Sequence, residues 1–371
     1  MSIYFGLIFV IIILPLLLSP IRDNDKRNKW LLFLSLFLIF LLMALKDPSV
    51  GRDIAGYKRM YEAMVYQSWS NYDISWMEWG YEFLMMIFTH VFHASFQMFM
   101  TCVYAFVYYS YYYFFKKYSD DFTTTLILYI CFTFLVFDMS AVRTMIGVAI
   151  CLFAVPYAEK KGILNLAKFA LITFIAAQVH KSAYVFFAIY FVIKVEMTFS
   201  TSLLYFGIPA VLFLFKSRFY TIINIYFKSV QESTASLGGN LLVYIISIIL
   251  TLYVWIYYKR RNGLIDSDSI NDKTQKELSE YFNGSGLAMR MIYVGIVLQL
   301  FGSGTVLTRM AQYVQFFILV LIPNNINRLD AKSRVIVRFV LYILAIAYFV
   351  KYTLLANALD IVPYKFFWSG I

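Results

Sequence analysis

The stretch "ILNLAKFALITFIAAQVHKSAYVFFAIYFVI" (163–193) decides how this chain is read. It is apolar almost throughout, yet His180 and Lys181 sit near its middle. A single helix of that length would run about 46 Å at 1.5 Å per residue, against a bilayer core of about 30 Å. An ionisable pair held in hydrocarbon is also costly. A break at His180-Lys181-Ser182 removes both difficulties. It gives two short spans joined by a tight turn, with the polar pair at one face of a membrane where water and lipid phosphate reach it.

Comparable runs recur from end to end. Of the 371 residues 61% are hydrophobic and 14% charged, where a soluble domain carries about 25% charged residues. The expected fold class is therefore all-α, a polytopic membrane protein of about twelve transmembrane helices, because only helices and closed barrels satisfy the backbone in lipid. The runs are too long and continuous for barrel strands. The spans fall near 2–20, 30–46, 96–115, 123–139, 141–158, 163–180, 182–196, 201–215, 241–258, 288–303, 305–323 and 335–352. Residues 1–371 read as one integral membrane domain, with no separate soluble domain and no repeat array. The first run, "IYFGLIFVIIILPLLL", lacks a basic start and a small-residue cleavage site and reads as the first span. Cys102, Cys131 and Cys151 lie in apolar runs without metal-ligand spacing and read as small core residues.

Orientation follows the basic connections. "RDNDKRNK" (22–29), "KK" (116–117), "EKKG" (159–162), "KRRNG" (259–263) and "NRLDAKSR" (327–334) are assigned to the cytoplasm. The segment 47–95, the loop 216–240 and the turns near 140, 180 and 304 then lie outside. The hydrophilic stretch 259–287 is a cytoplasmic loop. "EWGYEFLMMIFTHVF" (78–92) is short and holds Glu82 and His90, so it reads as an interfacial or re-entrant helix on the outer face rather than a crossing.

The net charge is +11, and the cytoplasmic loops do not account for all of it. Arg143 in "FDMSAVRTMIGVAI", the pair His180–Lys181, and Arg309 in "GSGTVLTRMAQYVQFF" sit at the outer ends of apolar runs. Ionisable residues in such places are functional candidates that usually face a cavity. Each also has a structural reading. Arg143 would pair with Asp138, Lys181 would snorkel to the interface, Arg309 would meet headgroups, and His180 would be a neutral, hydrogen-bonded histidine. In the outer loop, Gly51-Arg52-Asp53 forms a turn, and Tyr57 and Tyr61 share a helical face four residues apart.

Taken in order, "GRDIAGYKRMYE", "EWGYEFL", "MSAVRTMIGVAICLFA…EKKG", "FIAAQVHKSAYVFF" and "TRMAQYVQFF" resemble the EpsG/Wzy-type polysaccharide polymerase family over most of the chain. The resemblance implies a membrane glycosyltransferase that polymerises O-antigen or exopolysaccharide. Repeat units carried on undecaprenyl pyrophosphate are joined at the outer face of the bacterial cytoplasmic membrane. The growing glycan passes from its lipid carrier to the non-reducing end of a new lipid-linked unit. The resemblance also implies a chain-length regulator as partner, and no nucleic acid, cofactor or metal.

The residue chemistry fits that reaction. Guanidinium groups bind phosphate in a fork and stay charged, so Arg143 and Arg309 suit a leaving pyrophosphate, with Arg52 or Lys181 assisting. A neutral His180 suits removal of a proton from the acceptor hydroxyl, and nearby cations would favour that neutral form. Asp53, Glu78 and Glu82 are alternative bases or sugar ligands, and Tyr57 and Tyr313 are aromatic sugar contacts. His90 and His93 read as structural or sugar-contacting. A direct inverting displacement is expected; a retaining enzyme would need a carboxylate nucleophile, for which Asp53, Glu78, Glu82 and Asp138 are the candidates. Three other classes share parts of this pattern. A flippase would carry charges through the depth of its spans and an internal repeat. A membrane O-acyltransferase needs no pyrophosphate clamp. An O-antigen ligase shares the donor chemistry and differs in its acceptor.

Overall fold

The computed structural model describes residues 1–70, 77–194, 306–357 and 359–369, with scattered single residues between 211 and 298. The expected spans 201–215 and 241–258 and the loops 216–240 and 259–287 lie almost entirely outside the described residues, and more than half of the span 288–303 does so too. Among the described residues the fold is all-helical, with no strand beyond isolated bridges such as Lys46 with Phe366.

In chain order the helices are α1 (Ser2–Leu17), α2 (Asn24–Ala44), α3 (Ile54–Met64), α4 (Trp79–Met86), α5 (Phe96–Tyr118), α6 (Phe122–Cys131) and α7 (Phe134–Asp138). There follow α8 (Val142–Glu159), α9 (Ile163–Val179), α10 (Val185–Lys194), α11 (Val306–Gln315), α12 (Ile318–Asn327) and α13 (Ala331–Tyr348). α4 runs on into a π-helical turn, Ile87–Val91, and α13 into another, Phe349–Leu355. Asp23 caps α2 by accepting from the amides of Asp25 and Lys26, and Asp121 caps α6 through the Thr124 amide. Each thereby satisfies amides that a helix start leaves without intrahelical partners.

The run 163–193 breaks where its sequence requires. α9 stops at Val179, His180 is extended (φ −154°, ψ 117°), and Lys181–Tyr184 form a 3-10 turn before α10 begins. Two other expected spans are also interrupted, which the apolar pattern did not reveal. Residues 123–139 divide into α6 and α7 because Thr133 takes a left-handed φ of 72°, a conformation that cannot continue a right-handed helix. Residues 305–323 divide into α11 and α12, the latter running on to Asn327. There the bonding tightens to an i→i+3 pattern, with Phe317 N–H to Val314 O at 3.3 Å and Leu319 N–H to Phe316 O at 3.2 Å.

Three described helices are long and apolar enough to cross a bilayer: Asn24–Ala44, Val142–Glu159 and the continuous Ala331–Leu355. They differ in surroundings. Of the apolar window in α8, 72% is buried inside the protein, against 17% in α13. α8 is thus a central helix, while α13 turns Ile336, Phe339, Val340, Ile343 and Leu344 outward. Such an apolar face suits contact with lipid. α5 has 23 residues and ends on Lys116 and Lys117, a length of about 34 Å.

The chain divides into two units: residues 1–117, 121–184 and 339–371 form the first, and residues 118–120 and 185–338 the second. In the first, α1, α2 and α6 pack on one another, and α8 and α9 form the principal helix pair. Gly162 turns the chain between them at a φ of +105°, in the left-handed region that glycine enters without cost. The segment 47–95 lies on one end of this pair, with α4 packed on α9 and α3 on α4. The final residues bind back over its start. Asp47 N–H donates to Lys365 O, Gly51 N–H to Asp360 O, Arg52 N–H to Leu359 O, and Phe367 N–H to Leu45 O, all at 2.9–3.0 Å. In the second unit, α12 holds the short link 118–120. Asn324 donates to Tyr118 O (2.7 Å) and Asn327 to Asp120 O (2.8 Å), while Arg328 lies 3.6 Å from the Asp120 carboxylate. Phe186 of α10 meets Tyr313 of α11 edge-on at 6.4 Å.

Candidate functional site

Two close backbone approaches build the site. Gly51, at φ +102°, lies so close to the Met139 carbonyl that a side chain there would overlap it. The buried Lys46 ammonium fastens the same corner, donating to Val50 O (2.7 Å) and Met139 O (3.1 Å). Asp53 adds its amide to Ser140 Oγ at 3.3 Å. These contacts fix the start of the 47–95 segment against the turn that leads into α8. The second approach is at Gly80, where a Cβ would stand 2.8 Å from the Gln178 carbonyl oxygen. Only a residue without a side chain lets α4 sit this near the end of α9. The contact brings Glu78, immediately before α4, onto His180, immediately after α9.

Glu78 is the centre of the resulting cluster. Its Oε1 accepts from His180 Nδ1 at 3.0 Å and from the Lys181 amide at 3.1 Å. Its Oε2 accepts from Arg143 Nη1 in an ion pair. Arg143 also donates from Nε to the Tyr57 hydroxyl (3.4 Å) and lies over the Tyr57 ring at 5.9 Å. Tyr57 is itself held edge-on by Tyr81 at 5.8 Å. The side chains of Glu78, His180 and Arg143 are 9%, 7% and 11% exposed, so these interactions operate away from bulk water. Burial works against the Glu78 charge. The His180 hydrogen bond, the Lys181 amide and the Arg143 guanidinium outweigh it and hold the carboxyl at about 2, well below its ordinary range. Glu78 is therefore an ionised acceptor, and the proton of the His180–Glu78 bond resides on Nδ1. In the neutral ring that leaves Nε2 as the basic nitrogen, and Ser182 Oγ lies 3.2 Å from it. An imidazole oriented by a carboxylate on one nitrogen and presenting a lone pair on the other is the arrangement of a general base.

A family model described as the EpsG family matches residues 29–366, nearly the whole chain. The chain belongs to the EpsG family. Membership points to a polysaccharide polymerase-type function, and the apolar helices fit a multi-pass membrane protein. Comparison with curated proteins and with solved structures returns no match. Within this EpsG-family chain the matched span includes Tyr57, Glu78, Arg143 and His180.

The expected site residues are distributed as follows. His180 and Arg143 come together, joined through Glu78. The pairing of Arg143 with Asp138 is not what forms. Asp138 instead accepts from Tyr111 (2.8 Å) and Tyr129 (2.7 Å) within the helix core. The sequence placed cations near His180; in the structure a carboxylate, that of Glu78, also binds its ring directly. Arg52 and Asp53 do not pair with each other. Arg52 reaches Asp360 at 3.4 Å, with both side chains more than half exposed. Lys181 and Asp53 are exposed, as is Arg309 on α11 of the second unit. Tyr57, Glu82 and Tyr313 are buried. His90 has its ring nitrogens on Thr89 Oγ1 (2.8 Å) and Gln67 O (2.9 Å). Sequence reasoning treated Glu78 as an alternative base or a sugar ligand and missed its bridging position. The glycine two residues on, at a helix start otherwise rich in aromatics, is the one local sign of a close approach there.

Proposed function

We propose that this EpsG-family protein polymerises lipid-linked oligosaccharide repeat units at the outer face of the cytoplasmic membrane. The donor is the growing glycan on undecaprenyl pyrophosphate, and the acceptor is a hydroxyl at the non-reducing end of a second lipid-linked unit. The observation that carries this reading is the Glu78–His180–Arg143 cluster, which joins an oriented base to a phosphate-binding guanidinium.

In the proposed step the acceptor oxygen bonds to the anomeric carbon as the bond from that carbon to the diphosphate oxygen breaks. The electron pair leaves with undecaprenyl pyrophosphate, and the acceptor proton ends on His180 Nε2. Glu78 fixes the tautomer and stabilises the imidazolium as it forms, as a buried carboxylate does for other histidine bases. Arg143 meets the charge growing on the diphosphate. A guanidinium has five N–H donors, so its bond to Glu78 is compatible with binding phosphate. Lys181 and Arg52, both exposed, are assigned to the same anion, and Asp53 to sugar hydroxyls. Arg309 is assigned phosphate contact on its chemistry. The displacement inverts the anomeric centre, and a chain-length regulator acts as partner.

The test is the surface glycan of a strain lacking this chain, resolved on a gel. A polymerase defect leaves single repeat units on the final acceptor, and restoring the chain restores long polymer. A strain with no transferred units would point to flipping, and one with polymer retained on the lipid carrier would point to ligation. His180→Ala at matched protein level is expected to behave as the deletion does.

A further inference from the structure

Ser182 is the polar neighbour of the base that the reading above leaves without a task. It is 2% exposed and lies in the 3-10 turn Lys181–Tyr184, whose geometry is fixed by Ala183 N–H donating to His180 O at 2.9 Å. With Glu78 ionised and the neutral ring carrying its proton on Nδ1, the Ser182 hydroxyl is the donor and His180 Nε2 the acceptor across 3.2 Å. The lone pair that a general base needs is thus already engaged by this chain's own hydroxyl. A hydroxyl has one donor and two acceptor positions, so Ser182 can accept from an incoming O–H while it donates to Nε2. The backbone of the short turn keeps Oγ beside the ring, and burial shields the pair from competing water.

We propose that Ser182 Oγ is a proton relay between the acceptor hydroxyl and His180 Nε2, an inference that rests on the polymerase reading. As the acceptor oxygen attacks the anomeric carbon, its proton passes to Ser182 Oγ. The proton already on Oγ passes to Nε2 in the same event. Serine ends unchanged, the imidazole carries the positive charge opposite Glu78, and the leaving electron pair departs with the lipid pyrophosphate. The acceptor therefore gives up its proton to Ser182 and not directly to the ring.

The experiment uses the full-length protein in detergent with lipid-linked repeat units isolated from a strain lacking this chain. Turnover is measured for the wild type, Ser182→Ala and Ser182→Thr in mixtures of light and heavy water. Expected for the wild type is a curved proton inventory, with two protons in flight. Ser182→Ala is expected to lose roughly 100-fold in turnover, the low end of a general acid–base contribution, with KM unchanged. Ser182→Thr, which keeps the hydroxyl, is expected to recover most of the rate. A linear wild-type inventory overturns the relay. So does wild-type turnover in Ser182→Ala, or equal loss in the Ala and Thr variants at matched folded protein, which would make Ser182 a packing residue only. A wild-type protein that forms no polymer from these units overturns the polymerase reading and the relay with it, whereas the other outcomes leave polymerisation standing.

Discussion

Glu78 and His180 are 102 residues apart in the chain, yet Glu78 Oε1 and His180 Nδ1 meet at 3.0 Å. The same carboxylate holds Arg143 through its second oxygen. One side chain thus sets the tautomer of the proposed base and the position of the proposed phosphate ligand. Glu78→Gln keeps the size and removes the charge. It is expected to lower polymer formation by roughly 10³-fold, within the range seen when a histidine base loses its orienting carboxylate. Glu78→Asp keeps the charge but shortens the reach, and is expected to fall between the two. Turnover per mole of folded protein checks both.

Arg143→Ala removes the cation from the buried Glu78 carboxylate and leaves it only His180 and the Lys181 amide among the partners described above. Breaking a buried pair from one side costs about 3–5 kcal/mol, so a clear drop in thermal stability is expected along with loss of polymer. Arg143→Lys keeps a charge but not the fork that serves Glu78 and Tyr57 together. It is expected to retain most of the stability and lose most of the activity. Thermal unfolding in detergent, set beside the glycan gel, separates the two effects.

Gly80→Ala tests the close approach. The added Cβ would lie 2.8 Å from the Gln178 carbonyl oxygen and 2.9 Å from its carbonyl carbon and Cβ. None of these is the free end of a side chain, so α4 must move away from α9. A loss of about 1–3 kcal/mol is expected, with activity falling further because Glu78 leaves His180. An equally active variant would mean that the cluster does not depend on this contact.

Acid should weaken the fold through Glu78. Its carboxyl is held at about 2 in the folded protein, against an ordinary value of 4.5. A depressed carboxylate contributes stability that is fully present above its unfolded value and is lost as pH falls through the folded one. The window is therefore between about pH 4.5 and pH 2. Unfolding followed across that window should show a slope in the wild type that is reduced in Glu78→Gln.

Arg52 and Asp360 make a useful contrast. Their side chains are 59% and 57% exposed, and an exposed pair contributes about 0–1 kcal/mol. Arg52→Ala is expected to leave the melting temperature almost unchanged. Any loss of polymer would then report contact with substrate rather than damage to the fold.

The sequence by itself determined the solvent of this protein and the chemistry available to it. Apolar runs with so few charges cannot fold in water as a soluble domain does, and hydrogen-bonding demand in lipid makes them helices. The length of the run 163–193 required a break, and the ionisable His180–Lys181 pair marked it. Arg143 and His180 stood out for the same reason, as ionisable groups in apolar surroundings. Hydropathy could not reveal the kink at Thr133 or the division between α11 and α12, since both sides of each break are equally apolar. Only the tertiary structure decided which partners those charges take. Asp138 lies five residues from Arg143 and was the obvious counter-ion, yet two tyrosines claim it and Glu78 takes the arginine from 65 residues away. Pairing of this kind depends on backbones meeting at Gly51 and Gly80. Such approaches are set by steric fit between helices distant in sequence, which no local pattern encodes.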